Sequence, residues 1–142
     1  MPDAASPLAP EDELAIRNLL SRLAFLADTA PLDDLDEYID CFTDDAVWES
    51  PQEVRRGRAE VLSGARERRQ AGVQGPGTNS RHVLGTTSVR AEGPEEASAD
   101  SYFMAFGDTT TQPTVRVMGH YHDTFRRTGG RWRVAHRQVT FG

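Results

Sequence analysis

The chain has 142 residues, with 22 acidic against 16 Lys and Arg side chains, a net charge of −6 and 37% hydrophobic residues. That length supplies one domain with a proper core and is too short for two. The acidic balance argues against a nucleic-acid binder that works by neutralising phosphates, the single cysteine, Cys41, excludes an internal disulfide and a cysteine-rich zinc site, and the apolar runs fall far short of a membrane span.

The N-terminus, MPDAASPLAPEDE, lacks the basic and apolar regions of a secretory signal. With one cysteine as well, a reducing cytoplasm is the expected compartment. Pro2, Pro7 and Pro10 predict a flexible tail over residues 1–10, followed by a single domain over 11–142. Pro10-Glu11-Asp12-Glu13 opens a helix, its acidic residues complementing the dipole. Ile16, Leu19, Leu20, Leu23 and Ala27 recur at helical spacing, so the helix covers residues 11–28 and breaks at Ala30-Pro31. Leu35, Tyr38, Ile39 and Phe42 predict a second, shorter helix, Thr43-Asp44-Asp45 a turn, and Ala46 to Glu49 a short strand. Gly57 precedes a third helix carrying Val61, Leu62 and Ala65. The arginines around it, Arg55, Arg56, Arg58, Arg66, Arg68 and Arg69, read as a solvated helix face and turn rather than an anion site. Residues 71–79, AGVQGPGTN, form a glycine-rich loop.

Four strands follow: His82 to Ala91, Ala97 to Phe106, Thr114 to Arg127 and Arg131 to Phe141, the last two joined at Gly129-Gly130. Helices first and an antiparallel meander after them mean α+β, with the helices on one face of the sheet. In the third strand Val115, Val117, Gly119, Tyr121 and Phe125 share the inward face, interrupted by Asp123. His120, His122 and the arginines Arg116 and Arg126 share the outer one. Trp132, Tyr121 and Phe125 are therefore expected inside, and Arg116, Arg126 and Arg127 accessible. In the last strand Trp132 and Val134 lie on one parity, Val139 and Phe141 on the other, which predicts a bulge beside Arg137. Ala97, Ala99, Ser101, Phe103 and Ala105 make a face of mostly small residues that leaves room for a cavity.

Two residues carry the candidate chemistry. Asp28 closes the first helix, where a carboxylate opposes the dipole, and such broken rules mark functional sites. His82 opens a strand and can carry a proton near neutral pH. Paired, the carboxylate would orient the imidazole and leave its other nitrogen to act on a substrate. The plainer alternative is an exposed helix end and a strand-edge histidine. His120 and His122, with His136 on the next strand, are weaker candidates for a zinc, iron or nickel site; with no acidic ligand evident beside them, they read as surface or subunit-interface histidines.

The order of motifs resembles the SnoaL-like branch of the nuclear transport factor 2-like superfamily. The matching residues are Phe42, Asp45, Ala46 and Trp48, then Gly57, then Arg81-His82, and finally Gly119, Tyr121, Asp123, Phe125, Trp132, Val134 and Arg137. The resemblance implies a cone-shaped, curved antiparallel sheet with the N-terminal helices packed on its concave face around a deep pocket. It implies an Asp28–His82 dyad, as in scytalone dehydratase and hexachlorocyclohexane dehydrochlorinase, with Trp48, Tyr121, Arg137 and Val139 as substrate-binding residues, to which the cavity-forming strand face adds Phe103. The segment from Asp28 to Phe42 is longer than is usual in such chains, so Asp33 or Asp34 is an alternative carboxylate. No tyrosine precedes Asp28, which sets the chain apart from scytalone dehydratase. The implied activity is a cofactor-independent lyase or isomerase of dehydratase, dehydrohalogenase or cyclase type, acting on a small hydrophobic organic molecule. The implied assembly is a homo-oligomer. The rival is a non-catalytic binding or accessory protein of the same fold.

Overall fold

A computed structural model describes residues 8–142. The elements follow as α1 (Pro10–Thr29), α2 (Asp36–Asp40), β1 (Phe42–Glu49), β2 (Val54–Arg56), α3 (Gly57–Gln70), β3 (Arg81–Gly93), β4 (Glu96–Gly107), β5 (Thr114–Thr128) and β6 (Arg131–Phe141). All six strands join one sheet in the order β2-β1-β6-β5-β4-β3. The α+β architecture and curved sheet are as expected, with one exception to the antiparallel rule: β1 runs parallel to β6. A parallel neighbour needs a long crossover, and everything from β2 to β5 serves as that connection.

Helix α1 forms where the sequence places it. Pro10 sits in its first turn with Glu11, Asp12 and Glu13, and Ile16, Leu20, Leu23 and Leu26 are buried along one stripe. It ends before Pro31, because a proline disfavours helix at the residue before it. Residues 1–7 of the expected tail lie outside the described residues. The rest of that stretch is not a tail: Leu8 packs against the core and Pro10 is already helical.

The second helix is shorter than its periodicity suggests. It stops at Asp40, and Phe42 to Asp45 belong to β1 instead of a helix end and a turn. Tertiary contacts hold this segment extended. Phe42 is fully buried and pairs with Val134. The Thr43 hydroxyl donates to Asp45 at 2.9 Å, and Arg126 of β5 donates to both residues. Strand β2, absent from the sequence reading, covers three residues and pairs with Val47 to Glu49; so short a run carries no alternation to detect.

The long strands fall within two residues of their expected bounds. Gly129 and Gly130, at φ +57° and +77°, join β5 to β6. That is the backbone a two-residue hairpin needs, and glycine adopts it without strain. The bulge in β6 is also present. Thr124 faces His136 and Phe125 faces Val134, which leaves Ala135 unpaired. The extra residue switches the inward set from Trp132 and Val134 to Arg137 and Val139, all four buried. Tyr121 and Phe125 are buried as expected, and the interrupting Asp123 is wholly buried with them. Arg116 is exposed. Arg126 and Arg127 are half-buried rather than freely accessible: Arg127 lies 4.9 Å over the Trp132 ring and pairs with Asp12 at 2.6 Å and Glu95 at 3.2 Å.

Buried side chains form two clusters. The larger joins α1, α2 and α3 to β1 and to parts of β4, β5 and β6; the smaller is Phe103, Tyr121 and Val139, with Trp48 and Val117 against it. The smaller cluster is one wall of a cavity.

Candidate functional site

The cavity has a volume of about 520 Å³ and lies between the helices and the sheet. Leu23, Trp48, Leu84, Phe103, Val117 and Val139 give it apolar walls, and Tyr38, Arg68, Gln74, His82, Tyr121 and Arg137 bring polar groups to it. An apolar pocket with a few convergent polar groups is the usual form of a small-molecule site.

Asp28 sits one layer behind this lining, in the last turn of α1, with 4% of its surface exposed. Its carboxylate accepts from the His82 backbone N–H at 3.0 and 3.2 Å and lies 2.7 Å from His82 Nδ1. It therefore fixes both the start of β3 and the ring. An ionised carboxylate only accepts, so Nδ1 is the nitrogen that donates to it, and Nε2 is the one left to act in the cavity. Asp33 and Asp34 are exposed in the connection between α1 and α2 and do not line the cavity.

A carboxylate at a helix C-terminus needs compensation, and Arg69 of α3 supplies it. Its Nε donates to Ala30 O at 2.7 Å, and its Nη2 to Leu26 O at 3.0 Å and Ala27 O at 3.3 Å. The carbonyls of Ala27 and Ala30, left without a backbone donor at the end of α1, are thereby satisfied by a cation, which also shares Leu26 O with the Ala30 N–H. Burial pulls the Arg69 guanidinium below its ordinary value, while Tyr38 and Asp28 act the other way. The arginine cluster is thus not simply a solvated face. Arg58 donates to Phe42 O, Arg55 pairs with Glu53 and Glu67, and Arg68 bonds Gln74; Arg56 and Arg66 are exposed.

On the opposite wall Phe103 and Tyr121 stack at 4.1 Å and 8°. Gly119 permits this, since a Cβ there would lie 2.3 Å from the Phe103 ring. Phe103 also stacks against His82, with ring centroids 6.3 Å apart. Arg137 donates to Asp123 through Nε at 2.8 Å and Nη2 at 3.0 Å, and lies 3.8 Å over the Tyr121 ring. Burial alone would lower the Arg137 guanidinium, but the charge and hydrogen bonds of Asp123 outweigh it and hold it above its ordinary value. Burial pushes the Tyr121 phenol up to about 12, so it keeps its proton and remains a donor at neutral pH.

Trp48, Phe103, Tyr121, Arg137 and Val139 all line the same cavity as His82. His120 and His122 lie on the other face of the sheet, at 2.9 and 2.8 Å from one oxygen of Asp100, and His136 lies 3.0 Å from Glu49. The acidic neighbour not evident in the sequence is thus Asp100, one strand over. Among the described residues no group of three or more His, Cys, Asp or Glu side chains is arranged to hold a metal ion. The residues missed from sequence are Tyr38, Arg68, Gln74 and Arg69. Tyr38 belongs to the α2 repeat and reads as core; the other three act by reaching across to different elements, which leaves no periodic trace.

A curved six-stranded sheet closed by N-terminal helices around a pocket is the nuclear-transport-factor-2-like, or cystatin-like, architecture, and solved structures agree. A cystatin-like-fold protein of unknown function from Nostoc punctiforme superposes with a TM-score of 0.81 at 19% identity, covering 95% of this chain and 94% of that one. A nuclear-transport-factor-2-like protein from Novosphingobium aromaticivorans gives 0.79 at 23% identity, covering 92% and 82%. A candidate scytalone dehydratase from the same organism gives 0.73 at 18% identity, covering 93% and 85%. The SnoaL-like domain model matches residues 9–138, and the chain belongs to that family. A comparison with curated proteins returned no match. Among the described residues no helix is long and apolar enough to cross a membrane.

Proposed function

We propose that this protein is a cofactor-independent lyase or isomerase that removes a proton from a small hydrophobic organic molecule. One observation carries the reading: a buried carboxylate lies 2.7 Å from Nδ1 of an imidazole that lines an apolar cavity of about 520 Å³. His82 Nε2 takes a proton from carbon beside a carbonyl or leaving group. The C–H electron pair forms an enolate or a double bond. In isomerisation the imidazolium returns the proton to another carbon; in elimination the leaving group takes the electron pair of its bond to carbon, and the proton passes from the imidazolium to it or to water. Asp28 stabilises the imidazolium in between. Tyr121 and the remaining N–H groups of Arg137 offer donors to developing negative charge; because Asp123 offsets the Arg137 charge, they act by hydrogen bonding more than as a free cation. A fold relative named as a candidate scytalone dehydratase supports elimination as one form of the reaction.

The test needs no prior substrate. Small cyclic and aromatic ketones, some with a β-hydroxyl or halide, are incubated with the protein in D2O and followed by proton NMR. Deuterium entry or elimination that disappears in a folded His82→Ala variant supports the reading. Ligand binding without exchange or elimination by the wild type would instead favour the non-catalytic binding protein.

A further inference from the structure

Gln74 lies four residues past the end of α3, and the backbone between them has a defined path. The Gly72 N–H donates to Arg69 O at 3.1 Å and the Val73 N–H to Arg68 O at 3.0 Å, with Gly72 at φ +73°. This pair of bonds around a left-handed glycine ends the helix and aims the residues that follow. Gln74 Oε1 then accepts from Arg68 Nε at 3.0 Å, and Gln74 Nε2 lies 3.4 Å from His82 Nε2. A guanidinium can only donate, so the amide oxygen must face Arg68 and the amide N–H must face the imidazole. At the far end the Asp28 carboxylate can only accept. The chain Arg68, Gln74, His82, Asp28 is therefore pinned at both ends by fixed charges, and both ends impose one arrangement: a proton on Nδ1 and a lone pair on Nε2. Arg68 is itself held, 4.8 Å over the face of Trp48.

We propose that Gln74 and Arg68 are positioning residues for His82. Arg68 orients the amide, and the amide N–H holds the Nε2 lone pair toward the cavity, in the unprotonated form, until substrate takes its place. This rests on the reading of His82 as the base. At 3.4 Å the contact is longer than an ordinary hydrogen bond, so an incoming C–H displaces it at little cost. The charged and titratable groups that contact His82 or surround its cavity are Asp28 on α1, Tyr38 on α2, Glu53 before β2, Arg68 and Arg69 on α3, Arg116 and Tyr121 on β5, and the Arg137–Asp123 pair. Of these, Asp28 contacts the ring directly and favours the imidazolium. A donor aimed at the lone pair favours the neutral ring. Asp28 and Gln74 thus act in opposition on the same ring.

The midpoint of His82 protonation, read by 15N NMR of the imidazole in the full chain without substrate, tests this. Asp28→Asn lowers the midpoint. Gln74→Leu removes the donor and raises it; Gln74→Glu, nearly the same shape, replaces the donor with an anion and raises it further, by about 1 pH unit or more over wild type. Arg68→Met frees the amide to turn its oxygen to the ring and also raises it. Unchanged midpoints in Gln74→Leu, Gln74→Glu and Arg68→Met, with Asp28→Asn still shifted, would overturn this inference alone. An unchanged midpoint in Asp28→Asn would overturn the dyad on which the proposed function stands.

Discussion

The two ring nitrogens of His82 have different surroundings, a carboxylate on one side and the cavity on the other, and that asymmetry is what proton transfer requires. His82→Ala is expected to lower kcat/KM on any substrate found by at least ~10²-fold. Asp28→Asn is expected to be impaired as well, with circular dichroism unchanged in both. Wild-type turnover by either folded variant would remove the pair from the mechanism. Cys41 gives a second residue-level expectation. It is buried, its thiol donates to Glu37 O at 3.3 Å, and burial, then Asp40 and Glu37, push it up to about 11. A thiol reagent at pH 8 should leave it untouched until the protein unfolds; rapid labelling of the native protein would contradict the burial. At this scale Asp28 and His82 were expected as a pair because one closes a helix, the other opens a strand, and the surrounding motifs resemble a family that uses such a pair. The sequence did not show Arg69 or Gln74, whose roles depend on where a neighbouring helix end and a loop come to rest.

Among the elements, β6 is the most informative. Its parity changes at Ala135, and a one-residue slip moves every following side chain to the other face. Deleting Ala135 would straighten the strand and aim Arg137 and Val139 outward, leaving Asp123 buried without its partner. An unpaired buried charge is severely destabilising, so the deletion should abolish cooperative thermal unfolding; a sharp transition near the wild-type temperature would show that the bulge is dispensable. The end of α1 makes a milder case. Arg69→Met keeps the stem of the side chain but strips the donors from the carbonyls of Ala27 and Ala30, while Leu26 O keeps the Ala30 N–H. The expected loss is about 1–3 kcal/mol in urea unfolding, the cost of leaving partly buried acceptors unpaired. The bulge was legible because apolar residues changed parity within one strand. The start of β1 and the whole of β2 were not, because tertiary pairing overrode a helical repeat in one and the other was too short to show any pattern.

Over the whole molecule, carboxylates are held ionised by cations and donors brought from distant parts of the chain. The Trp132 indole and Arg127 hold Asp12 below its ordinary 3.8, Arg131 and Arg133 do so for Asp40, and Thr43 and Arg126 for Asp45. A carboxylate depressed in the folded state contributes its stability in full above the unfolded value and loses it as pH falls through the folded one. Stability toward urea should therefore hold from neutral pH to about 5 and decline below about 4. The decline should be gradual, because these groups keep contact with solvent and each contributes little. A sharp loss at pH 6 would point to histidines instead. The general architecture was readable at this scale from the order of helices and strands. The parallel pairing of β1 with β6 was not, since nothing local records which strand a chain end will lie beside.

The division of β6 at Ala135 also bears on how such a protein can change. Residues before it, Trp132 and Val134, belong to the larger cluster, and Val139 after it belongs to the cavity wall with Val117 and Phe103. Core packing and cavity shape thus depend on largely different positions of the same strand. A library confined to Val117, Val139 and Phe141 would reshape what enters the cavity while leaving the larger cluster intact, and one scaffold could be refitted to successive ligands without being refolded each time.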